Sequence, residues 1–188
     1  MAEKKQTDKK TKATPPQMVE QRQPGMCGPA ALRTLLSFFG VRRSEKYLAR
    51  LCKATIRRGT HPDNIIAALE KMGFVVKTGT WGSEEYCWKL LNHWINKKGL
   101  PVLVDWFTTA GGDSEDTGDG HYSVAYKLNR RYIWLADPQF HRRKDRMRKL
   151  LWKSFIRVWF DFETDYIQKR TDMNVRWWLV TYPKPPLK

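Results

Sequence analysis

A single cysteine stands directly in front of a segment with helical periodicity. In QRQPGMCGPAALRTLLSFFG, residues 21–40, Cys27 is followed by Gly-Pro-Ala-Ala, and Pro29 is tolerated only in the first turn of a helix. The apolar residues recur at i, i+3, i+4 and i+7, which predicts one buried helical stripe ending at Gly40: Leu32, Leu35, Leu36 and Phe39. A thiol at a helix N-terminus meets unpaired N–H groups and the positive end of the helix dipole, which favour the nucleophilic thiolate. The alternative is that Cys27 is a small, buried core residue.

A cysteine nucleophile needs a base, usually histidine, and a third group that orients the base. His121 opens the strand-like run HYSVAYKL directly after a Gly/Asp-rich loop. A strand start beside such a loop can hold a side chain at the mouth of a cleft, so His121 is the candidate base. The remaining histidines are interpreted as capping, packed or solvated residues: His61, His93 and His141.

Asp137 is the candidate for the orienting group. It ends the next strand-like run, RYIWLAD, and a hairpin with its turn near Asn129-Arg130 pairs the far ends of the two strands. We therefore predict that Asp137, or its neighbour, lies opposite His121, with Cβ atoms about 5 Å apart. The alternative is that Asp137-Pro138 only opens a turn.

This ordered set of residues resembles the bacteriocin-processing peptidases that cut after double-glycine leaders, a branch of the papain-like cysteine peptidases. The resemblance rests on Gln21, five intervening residues, Cys27-Gly28 and AAL, then His121 and Asp137-Pro138. It implies that Cys27 is the nucleophile, His121 the general base, Asp137 the orienting residue and Gln21 a donor to the oxyanion. Gln23 is a nearby rival for the role of Gln21. It also implies a papain-like fold and a peptide or protein substrate.

The remaining pattern predicts an α+β domain. Three helices come first, over residues 27–40, 44–53 and 60–73, followed by a short strand at 74–78 and an amphipathic helix at 83–99. From Pro101 onward, β-branched and aromatic runs separated by turns predict an antiparallel sheet that ends with VRWWLVTY. The segment LWKSFIRVWFDF fits a helix or a strand. Helices followed by an antiparallel sheet are typical of the α+β class.

Chain length and cysteine content limit the domain organisation and the kinds of structural cross-link that the chain can have. A chain of 188 residues suits one domain, which we place at 17–183, between a disordered basic tail at 1–16 and a C-terminal tail at 184–188. The three cysteines have no disulfide or zinc-finger spacing, so we expect no metal, no cofactor and a reducing, cytoplasmic compartment. No apolar run is long enough to predict a transmembrane segment or a signal peptide.

The net charge of +16 leaves other function classes open. It predicts weak electrostatic binding to nucleic acid or acidic surfaces, and the densest basic run, residues 141–153, is interpreted as a solvated face. One alternative to a peptidase is a catalytically silent, peptidase-like binding module that uses this charge. Another is an acyltransferase with the same triad, in which an amine replaces water. The acidic loop at 108–120 is interpreted either as a gate for basic substrates or as a mobile insertion.

Overall fold

The computed structural model of the chain describes residues 17–108, 119–139, 147–165 and 170–185. The predicted N-terminal tail, most of the acidic loop and the first half of the basic run therefore lie outside the described residues. The helices of the described part are α1 (Cys27–Ser37), α2 (Glu45–Leu51), α3 (Pro62–Lys71), α4 (Glu84–Leu91), a π-helical turn over Asn92–Lys97, and α5 (Trp152–Val158).

Side chains at the predicted positions begin three of these helices. Ser44 Oγ accepts a hydrogen bond from the backbone N–H of Tyr47 at 3.1 Å and caps α2, at the residue where this helix is predicted to begin. Ser83 caps α4 in the same way. The ring of His61 accepts from Asp63 N–H at 3.2 Å and caps α3, whose first residue is proline. These contacts satisfy N–H groups that have no partner inside the helix.

Eight strands in the described residues form two antiparallel sheets. The larger sheet has the order β1-β8-β2-β3-β4-β5, and β6 pairs with β7 in a separate hairpin. The strands are β1 (Phe74–Gly79), β2 (Val102–Thr108), β3 (Asp119–Leu128), β4 (Tyr132–Ala136), β5 (Met147–Leu151), β6 (Phe160–Asp165), β7 (Arg170–Val175) and β8 (Trp178–Pro183). The predicted α+β class and the antiparallel sheet are confirmed.

The structure refines three of the segments analysed from the sequence. The helix predicted over 83–99 stops at Leu91 and continues as the π-helical turn. The ambiguous segment at 151–162 contains both elements, α5 and then the start of β6. Residues 147–151 of the basic run pair with β4 as an edge strand, in which Lys149 and Leu151 are exposed and Arg148 reaches Asp137. Local periodicity did not reveal this strand, since its partner supplies the backbone hydrogen bonds.

The predicted register of the β3–β4 hairpin is also wrong. Val124 pairs with Ala136, whereas Leu128 pairs with Ile133, and the register shifts between Ala125 and Lys127. The turn lies further along the chain than predicted, since Leu128 already pairs with Ile133, and the one-residue shift only partly offsets this displacement. Asp137 therefore does not lie directly opposite His121 in the ladder, and His121 pairs with Trp106 of β2 on its other side.

The sheet separates two apolar clusters. Leu103 of β2 packs with α1, α2 and α3, whereas its neighbour Val104 packs with α4 and α5. This alternation follows from the two-residue period of a strand. On the side of the first cluster, α1 packs against β3, the strand that carries His121. Among the described residues, no helix combines the length and the apolar character needed to cross a bilayer.

Candidate active site

Cys27 is the first residue of α1. The helix packs its apolar stripe against the sheet, and Cys27 is 8 % exposed, so its thiol lies at the edge of the core. Gly28 permits this close packing, because a Cβ at Gly28 would lie 2.7 Å from Thr60 Oγ1. The preceding residue, Met26, makes no side-chain cap. The helix N-terminus therefore offers unpaired N–H groups beside the thiol.

His121 meets both of its predicted partners. Its Nε2 lies 2.6 Å from Asp137 Oδ1, and a second side-chain hydrogen bond joins its ring to Cys27. Because Nε2 is occupied by Asp137, the nitrogen that faces Cys27 is Nδ1. The ring is 3 % exposed and lies edge-on to Trp106, with ring centroids 6.1 Å apart. The structure thus brings Cys27, His121 and Asp137 together, although the β3–β4 pairing differs from the prediction.

Asp137 is fully buried and held by three donors. In addition to His121, the backbone N–H of Gln139 donates to Oδ1 and Arg148 Nη1 donates to Oδ2, each at 3.1 Å. The guanidinium of Arg148 also lies over the ring of Trp106, 5.3 Å from its centroid. Both oxygens of the carboxylate are therefore fixed, which in turn fixes the orientation of the imidazole.

The electrostatics favour a charged histidine and a charged aspartate. Burial by itself disfavours the imidazolium, but hydrogen bonds and charges from Asp137 and Cys27 outweigh it and raise the pKa of His121 to about 10. Burial likewise opposes the Asp137 carboxylate, yet His121, the Gln139 N–H and Arg148 together lower the pKa of Asp137. At neutral pH the site holds an imidazolium between a carboxylate and the Cys27 sulfur.

The backbone of Gln21 is hydrogen-bonded to the residue that follows Asp137. Its N–H donates to the carbonyl of Pro138 at 2.9 Å, while its side-chain Nε2 donates to the carbonyl of Gln23 at 3.3 Å. Its Oε1 is buried without a hydrogen-bond partner. The chain turns between Gln21 and Cys27, because Met26 N–H donates to the Gln23 carbonyl and Gly25 adopts a φ of 72°. The side chain of the rival Gln23 is exposed.

The other cysteines lie in different environments. Burial raises the pKa of Cys52 to about 12, and it also raises the pKa of Cys87, where Arg176 partly offsets it. All three cysteines are free thiols. Within the described residues, no group of three or more His, Cys, Asp or Glu side chains is arranged to hold a metal ion.

Sequence reasoning missed two side chains of this region. Arg148 lies in the basic run that was interpreted as a solvated face, and no local signal links it to Asp137. Asp105 lies on β2 and is 2 % exposed. The run PVLVDWF indicates a buried carboxyl at this position, because a lone aspartate stands among apolar strand residues. Burial raises the pKa of Asp105 well above its ordinary value, and the negative charges of Asp161 and Cys27 add to this effect.

The chain is similar to a known protein family and to several solved structures. The model of the Peptidase C39 family matches residues 16–159. The peptidase domain of Streptococcus ComA, a bifunctional ABC transporter of a quorum-sensing pathway, is 20 % identical with a TM-score of 0.64, over 88 % of this chain and 97 % of that one. A double-glycine motif protease of an AMS/PCAT transporter, solved with a leader peptide, is 16 % identical with a TM-score of 0.63, over 92 % and 94 %. A putative C39-like peptidase of Bacillus anthracis is 14 % identical with a TM-score of 0.59, over 90 % and 96 %.

At these identities the solved structures establish the papain-like C39 fold. No curated protein sequence matches the chain significantly.

Proposed function

Because the chain belongs to the Peptidase C39 family and is a cysteine peptidase, we propose that it cleaves peptide bonds through Cys27, His121 and Asp137, with Gln21 as an oxyanion donor. The observation that carries the proposal is the continuous set of contacts from Cys27 through His121 to Asp137, closed by the 2.6 Å bond. These three groups come from α1, β3 and the end of β4, and all are at least nine-tenths buried.

The first half of the reaction is acylation. The Cys27 thiolate attacks the carbonyl carbon of the scissile peptide, forming a C–S bond and moving an electron pair onto oxygen. The Cys27 backbone N–H and the Gln21 side-chain amide donate to this oxyanion. As the C–N bond breaks, the imidazolium of His121 gives its Nδ1 proton to the leaving amine. The products are a free amine and a thioester on Cys27.

The second half is hydrolysis. Neutral His121 removes a proton from water as the water oxygen attacks the thioester, and collapse of the intermediate expels the Cys27 thiolate. Asp137 keeps Nδ1 directed at the sulfur and stabilises the imidazolium in both halves. The residues described above supply the nucleophile, the acid–base group and the oxyanion donors that this sequence of steps requires.

The substrate class is a peptide that carries a leader segment. The AMS/PCAT protease of similar fold was solved with a leader peptide, which makes leader-type peptides the first substrates to test. A panel of synthetic leader peptides, including double-glycine sequences, is incubated with the protein and the products are identified by mass spectrometry. We expect a single cleavage site, and that Asp137→Asn lowers kcat/KM by up to about 10⁴-fold.

Cys27→Ser tests the nucleophile, and Cys52→Ser is its matched control because Cys52 is also buried and free. Only the Cys27 variant is expected to lose both cleavage and labelling by iodoacetamide at about pH 6, where an ordinary thiol of pKa about 8.5 is protonated. Cleavage that persists at the wild-type rate in Cys27→Ser contradicts the proposal.

A further inference from the structure

Hydrogen bonds fix the backbone of Gln21 on both sides of its Cα atom. Its own N–H donates to the carbonyl of Pro138 at 2.9 Å, and the N–H of Arg22 donates to Glu45 Oε1 at 3.3 Å. These two N–H groups belong to the two peptide units that flank the Gln21 Cα, and each peptide unit is planar. The bonds therefore restrain both backbone dihedrals of Gln21, and with them the direction in which its side chain leaves the chain.

The two acceptors belong to different parts of the fold. Pro138 directly follows Asp137, so the first bond ties Gln21 to the proposed triad. Glu45 is the first residue of α2, which is capped by Ser44 and packs Leu48 into the same apolar cluster as α1. The second bond therefore ties the other side of Gln21 to a helix that packs on the helix of the proposed nucleophile.

The inward orientation of the Glu45 side chain is costly. Glu45 is 8 % exposed, and among the described residues its Oε2 is buried without a hydrogen-bond partner. A buried polar atom without a partner raises the free energy of the folded state. A carboxylate in the first turn of a helix is favourable, but an exposed carboxylate also has this effect. The start of α2 therefore does not account for the burial of Glu45, whereas the bond to the Arg22 N–H requires it.

We propose that Glu45 is a positioning residue of the active site, which acts on the oxyanion through Gln21. Its carboxylate holds the Arg22 N–H and keeps the Gln21 backbone in place while the side-chain amide of Gln21 leaves the carbonyl of Gln23 for the reacting oxygen. Glu45 itself does not touch the substrate. The inference rests on the proposed function, because it takes Gln21 as the oxyanion donor.

Glu45→Ala tests the role, because it removes the acceptor of the Arg22 N–H. We expect kcat/KM to fall by about 10- to 10²-fold, since a displacement of about 1 Å in a catalytic group can cost 10²-fold. The loss should lie in kcat rather than in KM, because the donor acts only on the oxyanion. Alkylation of Cys27 by iodoacetamide develops no oxyanion and should keep its rate. Glu45→Gln retains an oxygen acceptor and should keep kcat/KM near that of the wild type.

Glu45→Met separates positioning from stability. The methionine side chain fills the same space without an acceptor and removes the cost of a buried carboxylate, so the free energy of unfolding should not fall. Positioning through the Arg22 N–H still predicts the same loss of kcat as in Glu45→Ala. Urea unfolding and kcat of this variant therefore keep the test decisive even if Glu45→Ala folds poorly.

A double-mutant cycle shows whether Glu45 acts through Gln21. In the Gln21→Ala background, Glu45→Ala should cause no further loss of kcat/KM, because the side chain through which it acts is gone. Thr34→Val is the matched control. Thr34 Oγ1 accepts from the N–H of Val19 at 3.1 Å and anchors the same segment before Gln21, so its removal should leave kcat/KM close to that of the wild type.

Three results overturn the inference: an unchanged kcat in both Glu45→Ala and Glu45→Met, an equal loss from Glu45→Ala in the Gln21→Ala background, or an equal loss in Thr34→Val. If Gln21→Ala itself cleaves peptide at the wild-type rate, the proposed oxyanion role of Gln21 fails instead. The failure of the inference and the failure of the proposed function are thus distinguishable.

Discussion

Gln21 differs from the other three proposed catalytic residues in its contacts. Cys27, His121 and Asp137 are joined directly, whereas the Gln21 side chain donates to the carbonyl of Gln23 and is tied to Pro138 through its backbone. Its role as an oxyanion donor therefore depends on exchanging the 3.3 Å bond to Gln23 for a bond to the reacting oxygen.

Gln21→Ala is expected to lower kcat/KM by about 10²- to 10³-fold, because one preorganised donor to the oxyanion is removed. Alkylation of Cys27 by iodoacetamide develops no oxyanion, so its rate should stay near that of the wild type. The comparison of peptide cleavage with alkylation in one variant isolates the effect. Gln23→Ala is the matched control; loss of cleavage in this variant alone would identify Gln23 as the donor.

Arg148 acts on the site through Asp137. Its guanidinium donates to Asp137 Oδ2 at 3.1 Å, and its side chain is 18 % exposed, so the pair is only partly screened by solvent. The adjacent Lys149 is exposed and lies instead over Tyr132, 4.0 Å from the ring centroid.

Arg148→Gln is expected to raise the pKa of Asp137, since one of the charges that stabilise the carboxylate is lost. The acid limb of the kcat/KM profile should then move to higher pH, with roughly a tenfold loss of activity near that limb. Lys149→Gln should leave the limb in place. An acid limb that is identical in both variants would show that Arg148 does not act on Asp137 during turnover.

At the scale of elements, the position of Cys27 depends on how closely α1 approaches the segment before α3. Gly28 and Thr60 form the contact, and Thr60 Oγ1 is buried without a hydrogen-bond partner. A methyl group at Gly28 has to displace either Thr60 or the start of α1.

Gly28→Ala is expected to destabilise the fold by about 1–3 kcal/mol through overpacking and to lower kcat/KM by moving the thiol. In the Thr60→Gly background the same change should be close to neutral, because Oγ1, Cβ and Cγ2 of Thr60, which lie 2.7, 2.8 and 3.2 Å from the new methyl group, are all gone. Urea unfolding and kcat/KM of the four proteins in this double-mutant cycle check the prediction. Equal losses in both backgrounds would mean that the Gly28–Thr60 contact does not position α1.

At the scale of the whole molecule, the site couples folding to pH. The pKa of His121 rises from its ordinary 6.5 to about 10 in the folded chain. Protonated His121 therefore stabilises the fold fully below about pH 6.5, and this contribution is lost as the pH rises toward 10. Asp137 behaves in the opposite sense: its pKa is lowered, so its contribution is lost as the pH falls through the acidic range.

His121→Gln should accordingly lower the free energy of unfolding most between about pH 5 and pH 6.5, and progressively less toward pH 10. Urea unfolding of wild type and variant at pH 6 and pH 9.5 measures the two differences. His93→Gln, at an exposed position of the π-helical turn, is the control. A difference between wild type and His121→Gln that grows with pH would contradict the sign of the His121 shift.

The sequence by itself determined the local features of this protein. The stripe of leucines and the placement of Pro29 determine where α1 begins, so Cys27 could be assigned to a helix N-terminus from the sequence. Ser44 and Ser83 determine helix starts in the same way, because capping involves residues two or three positions apart. The β-branched and aromatic runs after Pro101, separated by turns, were sufficient to predict an antiparallel sheet.

Tertiary structure decided which distant groups meet. The position of the turn, with Leu128 opposite Ile133, set the β3–β4 register, and His121 reaches Asp137 without being paired to it. Pairing of β5 with β4 brings Arg148 to Asp137, and β6 brings Asp161 to Asp105. These contacts join residues on different strands whose separation in the chain carries no periodic signal. Their free energy comes from burial and from the partner group, and neither is encoded in the local sequence.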